Sequence, residues 1–268
     1  MNAKLQIQAV AALHDNYIWL LHDGQNALVI DPGEARPVLH ALEQQNLALQ
    51  AVLVTHHHHD HTGGIAALQQ VFRNLAVYGP SRERLPVPFE GLAEGDVLDV
   101  LGVHFAVLDV PGHTQGHIAF HADCTGSNRE RLDAPLLFCG DTLFSAGCGR
   151  LLEGSAEQML HSLQKLMRLA PETLVYGGHE YTLENLRFAL VVEPDNDASS
   201  NYLLHCRSLR DRGLPTLPSS LERELQVNPF LRIHWPSVRD RVSERFSSSM
   251  PYDDMAVFAA LREWKNNF

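Results

Sequence analysis

A short apolar run at residues 49–54 stops at Thr55-His56-His57-His58-His59-Asp60-His61. An almost uninterrupted apolar segment of this length is the pattern of a strand buried on both faces. The loop that follows such a strand in an α/β sheet is where ligands are held. Gly63-Gly64 and then helical spacing over residues 65–72 come next, so the histidines lie between a strand and a helix. In an extended segment alternate side chains share a direction. His56 and His58 are therefore expected to point together, with His57 and His59 pointing elsewhere. Asp60 and His61 follow as the chain turns. The run thus offers two pairs of ligands, enough to begin two adjacent metal sites.

The rest of the chain offers the partners. Val110-Pro111-Gly112-His113, Phe138-Cys139-Gly140-Asp141 and Val175-Tyr176-Gly177-Gly178-His179 each place a ligand-type residue just past an apolar strand and beside glycine, which lets the backbone turn and pack closely. The expected assembly is His56, His58 and His113 on one metal, Asp60, His61 and His179 on the other, and Asp141 bridging with its two oxygens. Imidazole and carboxylate donors suit zinc best, with iron or manganese as alternatives. Two such ions about 3.5 Å apart activate a shared water near neutral pH. Asp60 and Asp141 are the expected catalytic carboxylates. A metal store would be expected to scatter its histidines loosely, whereas these ligands sit at separate strand ends and include two aspartates. His14, His22, His40, His161, His205 and His234 are read as ordinary residues. His57 and His59 are read as non-ligands, at most supporting the ligands.

The remaining pattern sets the frame. Strands are expected at residues 5–10, 17–21, 27–30, 49–54, 76–78, 97–100, 103–110, 117–121, 136–139 and 173–176, with helices at 37–46, 65–72 and 156–169. Beyond about residue 180 the pattern turns helical, over 183–192, 198–212, 237–246 and 253–265, with a proline-rich link at 214–218. The expectation is an α/β (α+β) layered domain, residues 1–180, followed by a small α-helical domain, residues 181–268. With 21 basic and 32 acidic residues the net charge is −11, which argues against nucleic acid or an anionic membrane as the main partner. No apolar run is long enough to span a membrane, and the N-terminus lacks the pattern of a signal peptide. Four cysteines without a C-x-x-C spacing suggest small buried side chains in a reduced, cytoplasmic protein. No large exposed apolar face is foreseen, so a monomer is expected.

THHHHDH, PGHTQGH, GDTLFSAGCGR and GGHEYT, in this order, resemble the metallo-β-lactamase superfamily and, within it, the glyoxalase II (hydroxyacylglutathione hydrolase) family. The first motif alone reaches only the superfamily. The later ones, with LPSSLERE, NPFLR and the ending Leu261-Arg262-Glu263-Trp264-Lys265-Asn266, carry the narrower resemblance, which covers essentially the whole chain. It implies a metallo-β-lactamase αββα sandwich followed by a helical glutathione-binding domain, and a binuclear metal site with the ligands above. It implies hydrolysis of a glutathione thioester, typically S-D-lactoylglutathione, to glutathione and D-lactate by attack of a metal-bridging hydroxide. It also implies that Arg262 and Lys265 bind the glycine carboxylate of glutathione, that Tyr181 contacts its peptide part and that Arg150 stands beside the site. These cations would let an acidic protein hold an anionic tripeptide. Leu152 departs from the pattern, standing where the family usually has an aromatic residue that contacts substrate. A persulfide dioxygenase, a lactonase or a lactamase on the same scaffold would lack the R-x-x-K ending.

Overall fold

A computed structural model describes residues 4–246 and 253–268. Two mixed sheets form the centre of the molecule. The first holds β1 (Gln6–Ala12), β2 (Asn16–His22), β3 (Asn26–Ile30), β4 (Ala48–Leu53), β5 (Ala76–Pro80) and β6 (Glu90–Leu92), in that order. The first three strands pair antiparallel, and β3 to β6 run parallel. The second holds β7 (Val97–Val100), β8 (Val103–Asp109), β9 (Ile118–Ala122) and β10 (Leu136–Gly140). A hairpin of β11 (Leu143–Phe144) and β12 (Gly147–Cys148) follows, and then β13 (Leu174–Gly177) lies parallel to β10. The outer strand of this sheet is β14 (Ser219–Ser220), antiparallel to β13.

Alternation along the strands explains the layers. On β2, Trp19 and Leu21 face one way while Ile18 and Leu20 face the other, and all are buried. Trp19 and Leu21 join Leu28 and Leu53 against Phe105, Phe120, Phe138 and Tyr176 of the second sheet, so this is the core between the sheets. Phe138 stacks on Tyr176 at 4.6 Å between ring centroids. Ile18 and Leu20 instead meet Val38 and Leu42 of α1 (Ala35–Gln45). Ile65 and Leu68 join the same layer after the helical turn α2 (His59–Thr62), from α3 (Ile65–Val71). The outer face of the second sheet packs Leu137, Cys139 and Val175 on Met159, Leu160 and Leu163 of α4 (Ala156–Leu166). That helix opens on a capping box between Ser155 and Gln158. The result is the helix–sheet–sheet–helix sandwich expected from the sequence.

The C-terminal part contains α5 (Thr182–Val192), α6 (Asp197–Asp211), α7 (Leu221–Val227), α8 (Pro236–Phe246) and α9 (Asp254–Asn266). Phe188, Phe230, Phe258 and Leu261 from this part continue the apolar layer beneath the second sheet. Several elements are absent from the sequence reading, among them β6, the β11–β12 hairpin, α7 and β14. The pair Ser219–Ser220 inside the helical part is a strand of the main sheet, too short and polar to show any periodicity. The histidine run is not extended throughout, because residues 59–62 already form the α2 turn. All four cysteines are free, and Cys139, Cys148 and Cys206 are buried as expected, while Cys124 is half-buried. Among the described residues no helix is long and apolar enough to cross a membrane.

Candidate metal centre

The ligand-type residues predicted at separate strand ends meet in one place. His56, His58 and His113 bring one ring nitrogen each into a common cluster, and a carboxylate oxygen of Asp60 meets a ring nitrogen each of His61 and His179 in a second. In the first, His58 Nδ1 lies 3.1 Å from His56 Nε2 and 3.0 Å from His113 Nε2. Two ligands of a tetrahedral zinc with bonds of about 2.0–2.1 Å stand about 3.3 Å apart, so these nitrogens are already spaced close to a coordination edge. In the second, Asp60 Oδ2 is 3.5 Å from both His61 Nε2 and His179 Nε2.

Asp141 joins the two clusters. Its Oδ1 lies 3.4 Å from His61 Nε2, while its Oδ2 lies 3.4 Å from His113 Nε2 and 3.3 Å from His179 Nε2. Glycine makes the approach possible: a Cβ at Gly178 would stand 2.7 Å from Asp141 Oδ1 and 2.8 Å from His61 Cε1. Gly140, just before Asp141, has φ +46°, and a Cβ there would run into the Thr55 hydroxyl.

Each histidine is turned inward by what its other nitrogen meets. His179 Nδ1 donates to Asp15 Oδ1 at 2.8 Å, and His113 Nδ1 donates to the Arg150 carbonyl at 2.9 Å. His61 Nδ1 stands 3.1 Å from Asp31 Oδ2. The Thr55 hydroxyl donates to Asp31 Oδ2 at 2.7 Å and so accepts from His56 Nδ1 at 3.1 Å. With these protons held outside, Nε2 of His56 and His113 presents its lone pair to the centre, whereas His179 Nε2 carries a proton toward Asp141 until a metal displaces it. Asn16 Nδ2 donates to Asp60 Oδ2 at 3.1 Å and holds that carboxylate.

The electrostatics suit cations. Burial pushes the Asp141 carboxyl up, but the charges of His179, His61 and His113 and the hydrogen bond from His179 hold it well below the ordinary carboxylate range. Burial and the neighbouring histidines keep His56 neutral. His179 is the opposite case: burial disfavours its charge, yet Asp141 and Asp15 raise it to about 9. The fit to metal shows in two buried atoms. His61 Nε2 and Asp141 Oδ1 have no hydrogen-bond partner among the described residues, and leaving such groups unsatisfied is costly. Divalent cations between the clusters would satisfy both.

Several supporting residues escaped the sequence reading. Asp31 was read only as part of a turn, and Asp15 and Asn16 carried no signal. His117 was read only as the first residue of a strand, although it is the second histidine of PGHTQGH. Its ring is fully buried and stacks on His56 at 4.6 Å. Its Nε2 accepts from the Asp141 N–H at 3.1 Å, and its Nδ1 donates to the Ile118 carbonyl at 3.0 Å.

Of the residues expected to bind substrate, Tyr181 and Arg150 touch this centre, while Lys265 lies over the Phe188 and Phe268 rings. Tyr181 stacks on the His179 ring at 4.8 Å with planes 6° apart. Lys265 is half-buried; burial, partly opposed by Glu184, and the charges of Arg262 and Arg150 bring it down to about 8. Arg262 is buried, donates to the Cys148 carbonyl at 2.8 Å and to Asn266 Oδ1 at 3.1 Å, and lies over the Phe230 ring. Arg150 is exposed. Leu152 is 61% exposed, and its N–H reaches the His113 carbonyl at 3.3 Å.

Comparison with known proteins agrees over the whole length. Residues 13–179 match the metallo-beta-lactamase superfamily, and residues 180–268 match the hydroxyacylglutathione hydrolase C-terminus. The chain is 52% identical to the hydroxyacylglutathione hydrolase of Albidiferax ferrireducens, covering 98% of this chain and 100% of that protein. It is 50% identical to the one from Nitrosomonas europaea, covering 98% and 97%. Among solved structures, ETHE1 from Myxococcus xanthus superposes with a TM-score of 0.61 at 24% identity, over 97% of this chain and 99% of that one, which speaks to the fold. TTHA1623 in a di-iron-bound form has a TM-score of 0.52 at 30% identity, over 65% of this chain and 91% of that one.

A metal that takes the His179 Nε2 lone pair must displace a proton below about pH 9. Metal binding at pH 7 is therefore expected to release protons and to tighten as pH rises toward 9. Calorimetric titration in buffers of different ionisation enthalpy reads the release; binding with no proton release at pH 7 contradicts this charge state.

Proposed function

The chain belongs to the hydroxyacylglutathione hydrolase family of the metallo-β-lactamase superfamily, and from that premise we propose that it hydrolyses S-(2-hydroxyacyl)glutathione. The preferred substrate on this reading is S-D-lactoylglutathione, cleaved to glutathione and D-lactate in the last step of methylglyoxal detoxification. The observation that carries the reading is the pair of ligand clusters sharing Asp141. We assign His56, His58 and His113 to one ion, Asp60, His61 and His179 to the other, and Asp141 to both. Zinc fits these donors best, with iron or manganese as alternatives. When bound, the two ions supply an activated water and a Lewis acid for the thioester carbonyl.

The chain's own groups do the rest. Asp60, held by Asn16, accepts a hydrogen bond from the attacking water and orients it. Asp141 fixes the separation of the two ligand clusters. The leaving thiolate is only modestly basic, so a strong general acid is not required. A cysteine nucleophile has no support: Cys139 is fully buried, and burial pushes its thiol up to about 12.

On this reading residues 1–180 are the catalytic domain and residues 181–268 the glutathione-binding domain. Lys265 and Arg262 take the glycine carboxylate, Tyr181 the peptide portion, and Arg150 adds positive charge at the mouth. The three bonds that Arg262 makes within the protein, from Nε and Nη1, leave part of its five N–H donors for a ligand. Leu152 replaces an aromatic contact with an exposed aliphatic one. The protein is proposed to act as a monomer in a reducing cytoplasm, in keeping with its free cysteines.

Hydrolysis of S-D-lactoylglutathione, followed by loss of thioester absorbance with metal counted on the same sample, tests the proposal. Metal-replete Asp60→Ala and Asp141→Ala are each expected to lose about 10²–10³-fold or more in kcat, and near-native turnover in either would overturn the site. Lys265 is charged below about pH 8 and neutral above it, so KM is expected to rise as pH passes 8. Lys265→Ala should raise KM at pH 7 and flatten that rise; a change in kcat alone would count against the assignment.

A further inference from the structure

Resting on the two-cluster reading, we propose that Glu83 is the positioning residue for the His56–His58–His113 cluster and does not serve the Asp60–His61–His179 cluster. Glu83 lies between β5 and β6, outside every motif of the sequence, and its side chain is only 4% exposed. Its carboxylate gathers donors from two loops. Oε2 accepts the His57 N–H at 2.6 Å and His57 Nδ1–H at 2.9 Å. Oε1 accepts the Gly116 N–H at 3.0 Å and the Thr114 hydroxyl.

Those loops are the ones that carry the first cluster. His57 separates His56 from His58, and Thr114 directly follows His113. His58 and His113 are 55 residues apart in the chain, yet their ring nitrogens stand 3.0 Å from each other. Without a cation a proton on His58 Nδ1 can bridge such a gap, but when every nitrogen turns a lone pair to a metal they repel at that distance, so a fixed support for the two loops favours the metal-binding form. One carboxylate bonded to both loops does this directly. Room is left for it: a Cβ at Gly116 would stand 2.5 Å from Glu83 Cγ. The far side of the His57 ring faces Glu153, with Nε2 3.1 Å from Oε1, which ties in the segment after Arg150.

The second cluster has supports of its own. Asp15 holds His179 and Asn16 holds Asp60, while Asp31 serves both clusters, standing beside His61 and reaching His56 through Thr55. None of the hydrogen bonds made by Glu83 reaches Asp15, Asn16, Asp60 or His179. Glu83 and Asp15 therefore each serve one metal position, and substitution of either is expected to change one affinity at a time.

The test is a titration of metal-free protein with Zn²⁺ against a chromophoric chelator, on wild type, Glu83→Ala, Glu83→Gln and Asp15→Ala. Wild type is expected to show two binding events. Glu83→Ala should weaken one of them by about 10–100-fold and leave the other within about twofold. Glu83→Gln keeps one acceptor oxygen and should fall between, with an unchanged circular dichroism spectrum. Asp15→Ala should weaken the event that Glu83→Ala spares. If both events weaken together in Glu83→Gln, or neither moves in Glu83→Ala, the role of Glu83 is refuted while the paired site stands. Fewer than two events in wild type would refute the paired site and this inference with it.

Discussion

The carboxylate of Asp141 is the contact on which the rest of the site depends. Buried without cations it would be driven toward its neutral form. Three histidines from three different loops surround it instead, His61 on one oxygen, His113 and His179 on the other. This arrangement dictates much nearby sequence. Gly178 must be small to let the carboxylate pass, and His117 is buried to receive the Asp141 N–H. The sheets serve the same end, because the loops after β4 of the first sheet and after the parallel β10 and β13 of the second all meet at this carboxylate.

The C-terminal helices also support the loop that carries Asp141. The hairpin between Asp141 and Arg150 is held almost entirely by them. Asn228 Nδ2 donates to the carbonyls of Phe144 and Gly147, Asn185 Nδ2 to that of Ser145, and Arg262 to that of Cys148. The buried Glu224 carboxylate accepts the Ala146 N–H at 2.7 Å and the Ser145 hydroxyl at 2.9 Å. One end of this hairpin is the proposed shared metal ligand and the other a proposed substrate cation. Arg262, itself proposed to bind substrate, is bonded to the hairpin at the Cys148 carbonyl.

The positions of the candidate ligands were legible because each follows a strand whose apolar pattern marks its end. His113, Asp141 and His179 stand just past such strands, and the structure brings them together. Their outer partners were not legible. Asp15, Asp31 and Glu83 lie in turns and loops and Asn16 at the start of β2, where polar residues are ordinary, and only the folded chain shows which of them meet a histidine or its neighbours. Ser219–Ser220 was missed for a related reason: two residues cannot display a period of two, and their pairing with β13 is decided by tertiary contact. The turn expected at Asp60 and His61 begins one residue earlier, at His59, with Asp60 a natural first-turn residue of a helix.

Anomalous X-ray scattering at the zinc edge from crystals of zinc-loaded protein addresses the central claim most directly. The account predicts two peaks about 3.5–4 Å apart, with Asp141 contacting both, His56, His58 and His113 on one, and Asp60, His61 and His179 on the other. A single peak at full loading, or two peaks with Asp141 contacting only one, would contradict it.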